Sequence, residues 1–290
     1  MFSNRDVADY YNQTQIHYKK WWKLDKYLSV HYGIWDSSTR NFSEALLNTN
    51  KVLAEIAGIN EGERILDAGC GVGGSGVFLA KSKKAKVSGV TLSEKQFDFA
   101  VENASKLKLN HLLDFKLEDY TQTSFPDETF DLIWCIESIT STPDKTLFAR
   151  EAFRILKLGG KLIIADYFNT SEDKVDTKGF MEKWRKTWSM APIESMEEYL
   201  PKFNKNGFEL RKNHDYTKGI YPTAKRMYWS SIIGAFPSVI YNALFKNVSR
   251  FAKTHYKSGF YQYKALKKGL WEYRILLFEK ESPLNNSKNI

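Results

Sequence analysis

Apolar positions along this chain change period several times. Over residues 2–31, Val7, Tyr10, Tyr11, Thr14 and Tyr18 recur at helical spacing, with Trp21 and Trp22 behind them. They predict a helical lead. Residues 42–57 carry an amphipathic helical pattern that ends at Gly58. From there short apolar runs alternate with helical patterns. Strands are expected at 64–68, 86–91, 112–117, 132–136 and 161–167, with helices at 73–83, 94–107 and 144–156 between them. Ser93 stands where a helix cap belongs, and Gly159–Gly160 mark the turn into the fifth strand. Beyond 167 the pattern loosens: helices at 178–190 and 195–205, a strand at 208–216, a helical insertion at 223–254, and a closing strand at 271–279. The polar tail from Ser282 onward is expected to fray. Strands alternating with helices predict an α/β fold with a doubly wound, mostly parallel sheet of seven strands.

The chain is organised around the run from Ile65 to Gly76. Ile65-Leu66 ends a strand, glycines turn the chain, and Val77 begins a helix. Strand, glycine turn and helix N-terminus together make a nucleotide pocket. Gly69, Gly71 and Gly74 satisfy G-x-G-x-x-G, a weak pattern by itself. Two details bear on the ligand. Asp67 lies two residues before the first glycine, where a carboxylate repels a pyrophosphate and attracts an ammonium or sulfonium. A dinucleotide fold also wants an acid at the end of the second strand, and here that strand ends at Thr91.

Asp67-Ala68-Gly69-Cys70-Gly71-Val72-Gly73-Gly74 resembles the first motif of class I S-adenosylmethionine (SAM) methyltransferases, which have a Rossmann-like sheet. Gly89-Val90-Thr91-Leu92-Ser93 with Gln96 is similar to the branch holding sterol and tocopherol methyltransferases and cyclopropane fatty-acid synthases. The resemblance implies SAM as cofactor and runs from about Tyr32 to about Tyr167. It implies that Thr91, Leu92 and Gln96 contact the ribose and adenine side, and that Gly69, Gly71 and Gly73 form the loop. In Glu118-Asp119-Tyr120, Asp119 is the expected acceptor for the adenine amino group, with Glu118 as the alternative, and Tyr120 the ring packing on it. His31-Tyr32-Gly33-Ile34-Trp35-Asp36 resembles the short motif ahead of the core in that branch, which makes Tyr32 the aromatic at the methionine end. Asp9-Tyr10-Tyr11-Asn12 with Trp21 looks like the N-terminal lid segment of sterol methyltransferases. Pro126-Asp127 before Phe130-Asp131, and Leu158-Gly159-Gly160-Lys161-Leu162, also match the family. Ile136 and Glu137 close the fourth strand, at the end of an open sheet where ligands lie.

Methyl transfer from a sulfonium is an in-line displacement, so the protein's tasks are alignment and exclusion of water. An alkene acceptor adds two needs: ring faces for a cation and a carboxylate to take a proton. Ile136-Glu137-Ser138 resembles the Glu of sterol and isoprenoid methyltransferases, which implies Glu137 as the catalytic base; its other use is support for the cofactor or a helix N-terminus. Tyr10, Tyr11, Trp35, Trp184, Tyr228 and Trp229 are candidate rings of the acceptor pocket. After Glu137 this chain has Ser138-Ile139-Thr140-Ser141-Thr142-Pro143, without the Cys and His found in sterol enzymes and cyclopropane synthases. That weakens a sterol assignment and argues against cyclopropanation. The expected reaction is C-methylation of an isoprenoid, sterol or quinone/tocopherol-like lipid, with O- or N-methylation as the alternative.

Charge adds one feature. The net charge is +9, and from Thr217 to Lys280 there are twelve Lys or Arg against two Glu, with many aromatics. Such a stretch suits anionic lipid head groups, a diphosphate or nucleic acid, or is a solvated basic face over an aromatic core. The chain divides into a lid at 1–45, a core at 46–216, a basic cap at 217–270, a closing strand at 271–280 and a tail at 281–290. No signal peptide is visible, and Ser230 to Phe245 is too short to span a bilayer. A cytoplasmic enzyme is expected, with peripheral membrane contact through the cap. Cys70 and Cys135 are expected to be reduced. No metal-spaced Cys/His set is present. A NAD-dependent oxidoreductase rests on glycine spacing alone. A nucleic-acid methyltransferase lacks the Asn/Asp-Pro-Pro-Tyr motif after strand four, and a SAM-binding module without activity is the remaining alternative.

Overall fold

A computed structural model describes residues 2–170, 174–245 and 248–281, without the side chains of Lys20 and Trp21. The expected ring of Trp21 and the tail from Ser282 lie outside the described residues. Seven strands form one sheet: β1 (Arg64–Ala68), β2 (Lys86–Thr91), β3 (Leu113–Leu117), β4 (Phe130–Ile136), β5 (Leu156–Asn169), β6 (Phe208–Asp215) and β7 (Trp271–Lys280). Their order is β3-β2-β1-β4-β5-β7-β6. The first five pair in parallel, and β7 enters antiparallel between β5 and β6. The order reverses at β1, so the crevice beyond β1 and β4 is the switch point where such sheets bind ligands.

The helices are α1 (Asn4–His17), α2 (Leu24–Tyr27), α3 (Phe42–Ala57), α4 (Gly74–Lys83), α5 (Glu94–Lys106), α6 (Lys145–Ile155), α7 (Phe180–Trp188), α8 (Met196–Asn204), α9 (Thr217–Leu244), α10 (Ala252–His255) and α11 (Ser258–Lys267). Caps explain several of the starts. Ser93 accepts from the Gln96 amide at 3.2 Å, Asp144 from that of Thr146 at 2.8 Å, and Ser195 and Glu198 form a capping box. Side chains alternate across each strand. Ile65, Trp134, Ile163 and Tyr273 join the core under α3, α4, α7 and α11. Leu66, Ile133, Leu162 and Phe278 join the core under α6 and α8.

Three expectations change. The lead is not one helix: α1 gives way to a π-turn at Tyr18–Trp22, and Lys23 and Leu28 take left-handed conformations on either side of α2. The turn at Gly159–Gly160 sits inside β5 as an irregularity against β4. The insertion begins six residues before 223, at Thr217, and α9 carries both Pro222 and Pro237 within it. It then divides into α9, α10 and α11. Cys70 and Cys135 are free and buried. Among the described residues no helix is long and apolar enough to cross a membrane.

Candidate functional site

A cavity of about 950 Å³, open mouth included, lies beyond the carboxyl ends of β1, β2 and β4. Three sides come from sequence-predicted residues: Gly69 and Gly71 from the turn after β1, Thr91, Leu92 and Gln96 from the turn after β2, and Asp119 and Tyr120 after β3. Ile136 and Glu137 form the floor at the end of β4, and Tyr10 and Tyr11 on α1 cover it.

Local bonds hold these groups. Thr91 donates its hydroxyl to Gln96 Oε1 at 3.0 Å, which fixes the amide so that Nε2 is free to donate toward the cavity. Asp119 Oδ1 accepts the Thr121 amide at 2.8 Å, and Oδ2 accepts from the Asn4 side chain of α1. Tyr120 donates to the Ser138 carbonyl at 2.8 Å. Asn12 ties α1 to the start of α5, accepting from the Ser93 hydroxyl at 2.7 Å. The lead therefore lies directly on the expected adenine end of the site.

Glu137 has the most constrained carboxylate in the cavity. Its own backbone is left-handed, with φ +53°, an arrangement that costs energy for a residue with a Cβ. Oε1 accepts the Tyr32 amide at 2.7 Å and the Tyr273 hydroxyl at 3.0 Å, and Oε2 accepts the Tyr167 hydroxyl. Burial raises its pKa to about 8, against the opposing pull of those hydrogen bonds.

Not every predicted residue reaches the cavity. Tyr32 does not line it. Its ring is buried among Tyr167, Trp188, Trp271 and Tyr273, its hydroxyl donates to Gln262 at 2.9 Å, and only its amide serves Glu137. Glu118 turns away, accepting from the Ser124 hydroxyl at 2.7 Å, which leaves Asp119 alone at the adenine end. Gly73 is the left-handed N-cap residue of α4 and does not line the cavity. Asp67 lies beneath the glycine turn: one oxygen accepts the Gly76 amide, and burial raises its pKa to about 7. Of the proposed pocket rings, Trp35 donates to Thr223 at 2.9 Å, Trp184 is in the core, Tyr228 stacks on Phe260, and Trp229 is 53 % exposed on the outer surface.

In their place stand residues that sequence reasoning missed: Tyr18, His31, Thr140, Tyr167, Trp188 and Met190. Tyr18 follows Tyr10 and Tyr11 by two helical turns, a signal that was available. Trp188 lies one turn after Trp184 on the same helix, and only tertiary packing separates their fates.

The residues fit SAM better than a dinucleotide. Asp67 Oδ2 is buried with no hydrogen-bond partner among the described residues, a carboxyl oxygen left over beneath the loop. Gly71 has φ +53° and lines the cavity, and a Cβ there would come no nearer than 3.8 Å to protein. The open space in front of it is ligand space. The first turn of α4, where a pyrophosphate would lie, is covered instead: a Cβ on Gly74 would sit 1.8 Å from the Leu28 carbonyl oxygen.

Residues 66–164 match the methyltransferase domain family. Over 76 % of its length the chain is 31 % identical to the methyltransferase GfsG of Streptomyces halstedii, covering 78 % of that protein. Over 80 % of its length it is 30 % identical to the 2-methyl-6-phytyl-1,4-hydroquinone methyltransferase of a Synechocystis species, covering 74 % of it. In fold it superposes on a cyclopropane synthase of Mycobacterium tuberculosis with a TM-score of 0.81, at 16 % identity, covering 97 % of this chain and 99 % of that one.

Proposed function

This chain belongs to the class I SAM-dependent methyltransferases, and from that premise we propose that it methylates a carbon of a small isoprenoid- or quinone-like lipid, with Glu137 taking the proton that the acceptor releases. When bound, SAM supplies an electrophilic methyl group on a positive sulfur. Thr91, Gln96 and Asp119 would hold its nucleoside, and Asp67 would favour its cationic end from beneath the glycine turn. The observation that carries the acceptor reading is the setting of Glu137. It is the carboxylate at the cavity floor, held by two tyrosine hydroxyls and an amide, with Tyr18, Tyr167 and Trp188 lining the space it faces. Ring faces favour a cationic acceptor, and a carboxylate raised toward neutral pH suits a general base. The phytyl-hydroquinone named for one relative is an acceptor of this class.

O-methylation is the second reading, and one observation favours it. Tyr18, Tyr10 and His255 are linked in series, at 2.9 Å between the tyrosine hydroxyls and 3.1 Å from Tyr10 to His255 Nε2. Burial holds His255 neutral, with a pKa near 3. Through His255 Nδ1, 3.2 Å from His17 Nδ1, the series is a relay that would pass a proton from an acceptor hydroxyl at the cavity wall on to His17.

Incubation with methyl-labelled SAM and fractionated cell lipids separates the readings. Label on carbon of an apolar product, located by mass and by nuclear magnetic resonance, is the expected result. Label on oxygen would move the chemistry to the tyrosine–histidine series, and label confined to water-soluble products would end the lipid reading. Cofactor placement has its own check. Gly71→Ala is expected to cost ~1 kcal/mol of stability for its left-handed backbone, and to weaken SAM binding about ten-fold or more in calorimetry, since the new methyl enters ligand space.

A further inference from the structure

Among the described residues eighteen large apolar side chains are exposed, and nine of them fall between Trp229 and Phe245. Trp229, Ile233, Phe236, Ile240 and Leu244 follow one another at intervals of three and four, so they share a face of α9, and they are 43–76 % exposed. The opposite face of the helix is buried through Met227, Ser231 and Gly234. An apolar surface of this extent marks an interaction site.

Charge identifies the partner. Residues 217–271 contain ten Lys or Arg and no Asp or Glu. Lys225, exposed, stands one turn ahead of Trp229 on the same face. Lys253, also exposed, lies near the other end, where its carbonyl accepts the Asn242 side chain at 3.1 Å. An apolar stripe between cations matches the boundary layer of an anionic bilayer, with rings and alkyl groups among the acyl chains and ammonium groups at the phosphates. A two-fold contact with a second copy would instead set like charges against each other.

The inner face of α9 supplies a reason for docking there. A second cavity, about 650 Å³ with its mouth, lies under it and is lined by Met227, Ser231, Gly234 and Ser238. Tyr18 and Trp188 line both this cavity and the one that holds Glu137. The two spaces are neighbours across those rings. We propose that the outer face of α9 docks the protein on an anionic lipid surface, and that the second cavity is the passage by which an apolar acceptor moves from the bilayer to the Tyr18–Trp188 wall. The passage rests on the lipid reading above; the docking does not.

Sedimentation of the full chain with vesicles tests the docking. Binding to phosphatidylcholine vesicles containing phosphatidylglycerol is expected to exceed binding to phosphatidylcholine alone by about ten-fold or more, and to weaken with salt. The I233E/F236E variant should lose about ten-fold or more of that binding, with its SAM affinity and thermal melt unchanged. A wild-type chain that ignores both vesicle types overturns the docking, as does a variant that binds like wild type. So does a wild-type dimer in analytical ultracentrifugation that the variant splits, which would assign the face to a second copy. Ser238→Trp narrows the second cavity, and turnover on lipid-fraction vesicles should fall at unchanged SAM affinity. Wild-type turnover in that variant would remove the passage and leave the docking. A product found only in the aqueous phase would sink the lipid reading while vesicle binding persisted.

Discussion

Glu137→Gln is expected to bind SAM like the wild-type protein and to lose between about 10² and 10⁴ of its turnover, the range for removing a positioned acid–base group. The substitution keeps the shape of the side chain and an oxygen for the Tyr32 amide, so SAM titration and melting temperature serve as controls for structure. The pH profile gives a second readout. Burial keeps the Glu137 carboxyl protonated up to about pH 8, and a base works only when ionised. Wild-type turnover should therefore climb as pH approaches 8 and level off above it, and the glutamine variant should lack that climb. Turnover within about three-fold of wild type would remove Glu137 from the chemistry and leave it as a support for neighbouring tyrosines.

Asp67→Asn should move stability and cofactor affinity in opposite directions. Asp67 is buried, with one oxygen on the Gly76 amide and the other unpartnered. Its pKa is about 7 in the fold against 3.8 for the free side chain. Between those values the folded protein holds a proton that the unfolded chain has released. This group therefore takes stability away as pH rises from about 4 to about 7, on the order of 4 kcal/mol in all. Asn makes the same amide bond and does not ionise. Without cofactor, the variant should melt several degrees above wild type at pH 8, with the gap narrowing as pH falls and closing near pH 4. Its SAM affinity should fall about ten-fold or more, because the negative charge beneath the loop is gone. Undiminished affinity would mean that the carboxylate only braces the start of α4.

The sheet was legible because its central strands β1 and β4 are short runs buried on both faces, closed by a turn, while β3 at the edge is only half buried. The helix at 42–57 and the strands at 64–68 and 86–91 stand where the periodicity places them. The turns that line the cavity were legible for a related reason: Gly69, Gly71, Thr91 and Asp119 lie at or just beyond strand ends, so position along the strand fixes position in the crevice, and Gln96 follows in the first turn of α5. The rings were not. Trp184 and Trp188 lie on one helix, and nothing local says that one is sealed in the core while the other reaches two cavities. Trp229 has the composition of a pocket residue, but α9 turns it outward. Asp67 stands two residues before the first glycine, and its buried side chain lies beneath the turn, on the Gly76 amide. The motif implies a role for the Tyr32 ring, while in the structure the ring packs against Tyr167 and Tyr273 and the amide meets Glu137.

The bonds on Glu137 also bear on how the protein is made. One partner comes from residue 32 and another from residue 273, so the carboxylate gathers both ends of the polypeptide. A nascent chain can assemble β1 to β5 on the ribosome, but β6 has no neighbour until β7 is inserted beside it. Until that last strand emerges, Glu137 lacks one of its hydroxyl donors.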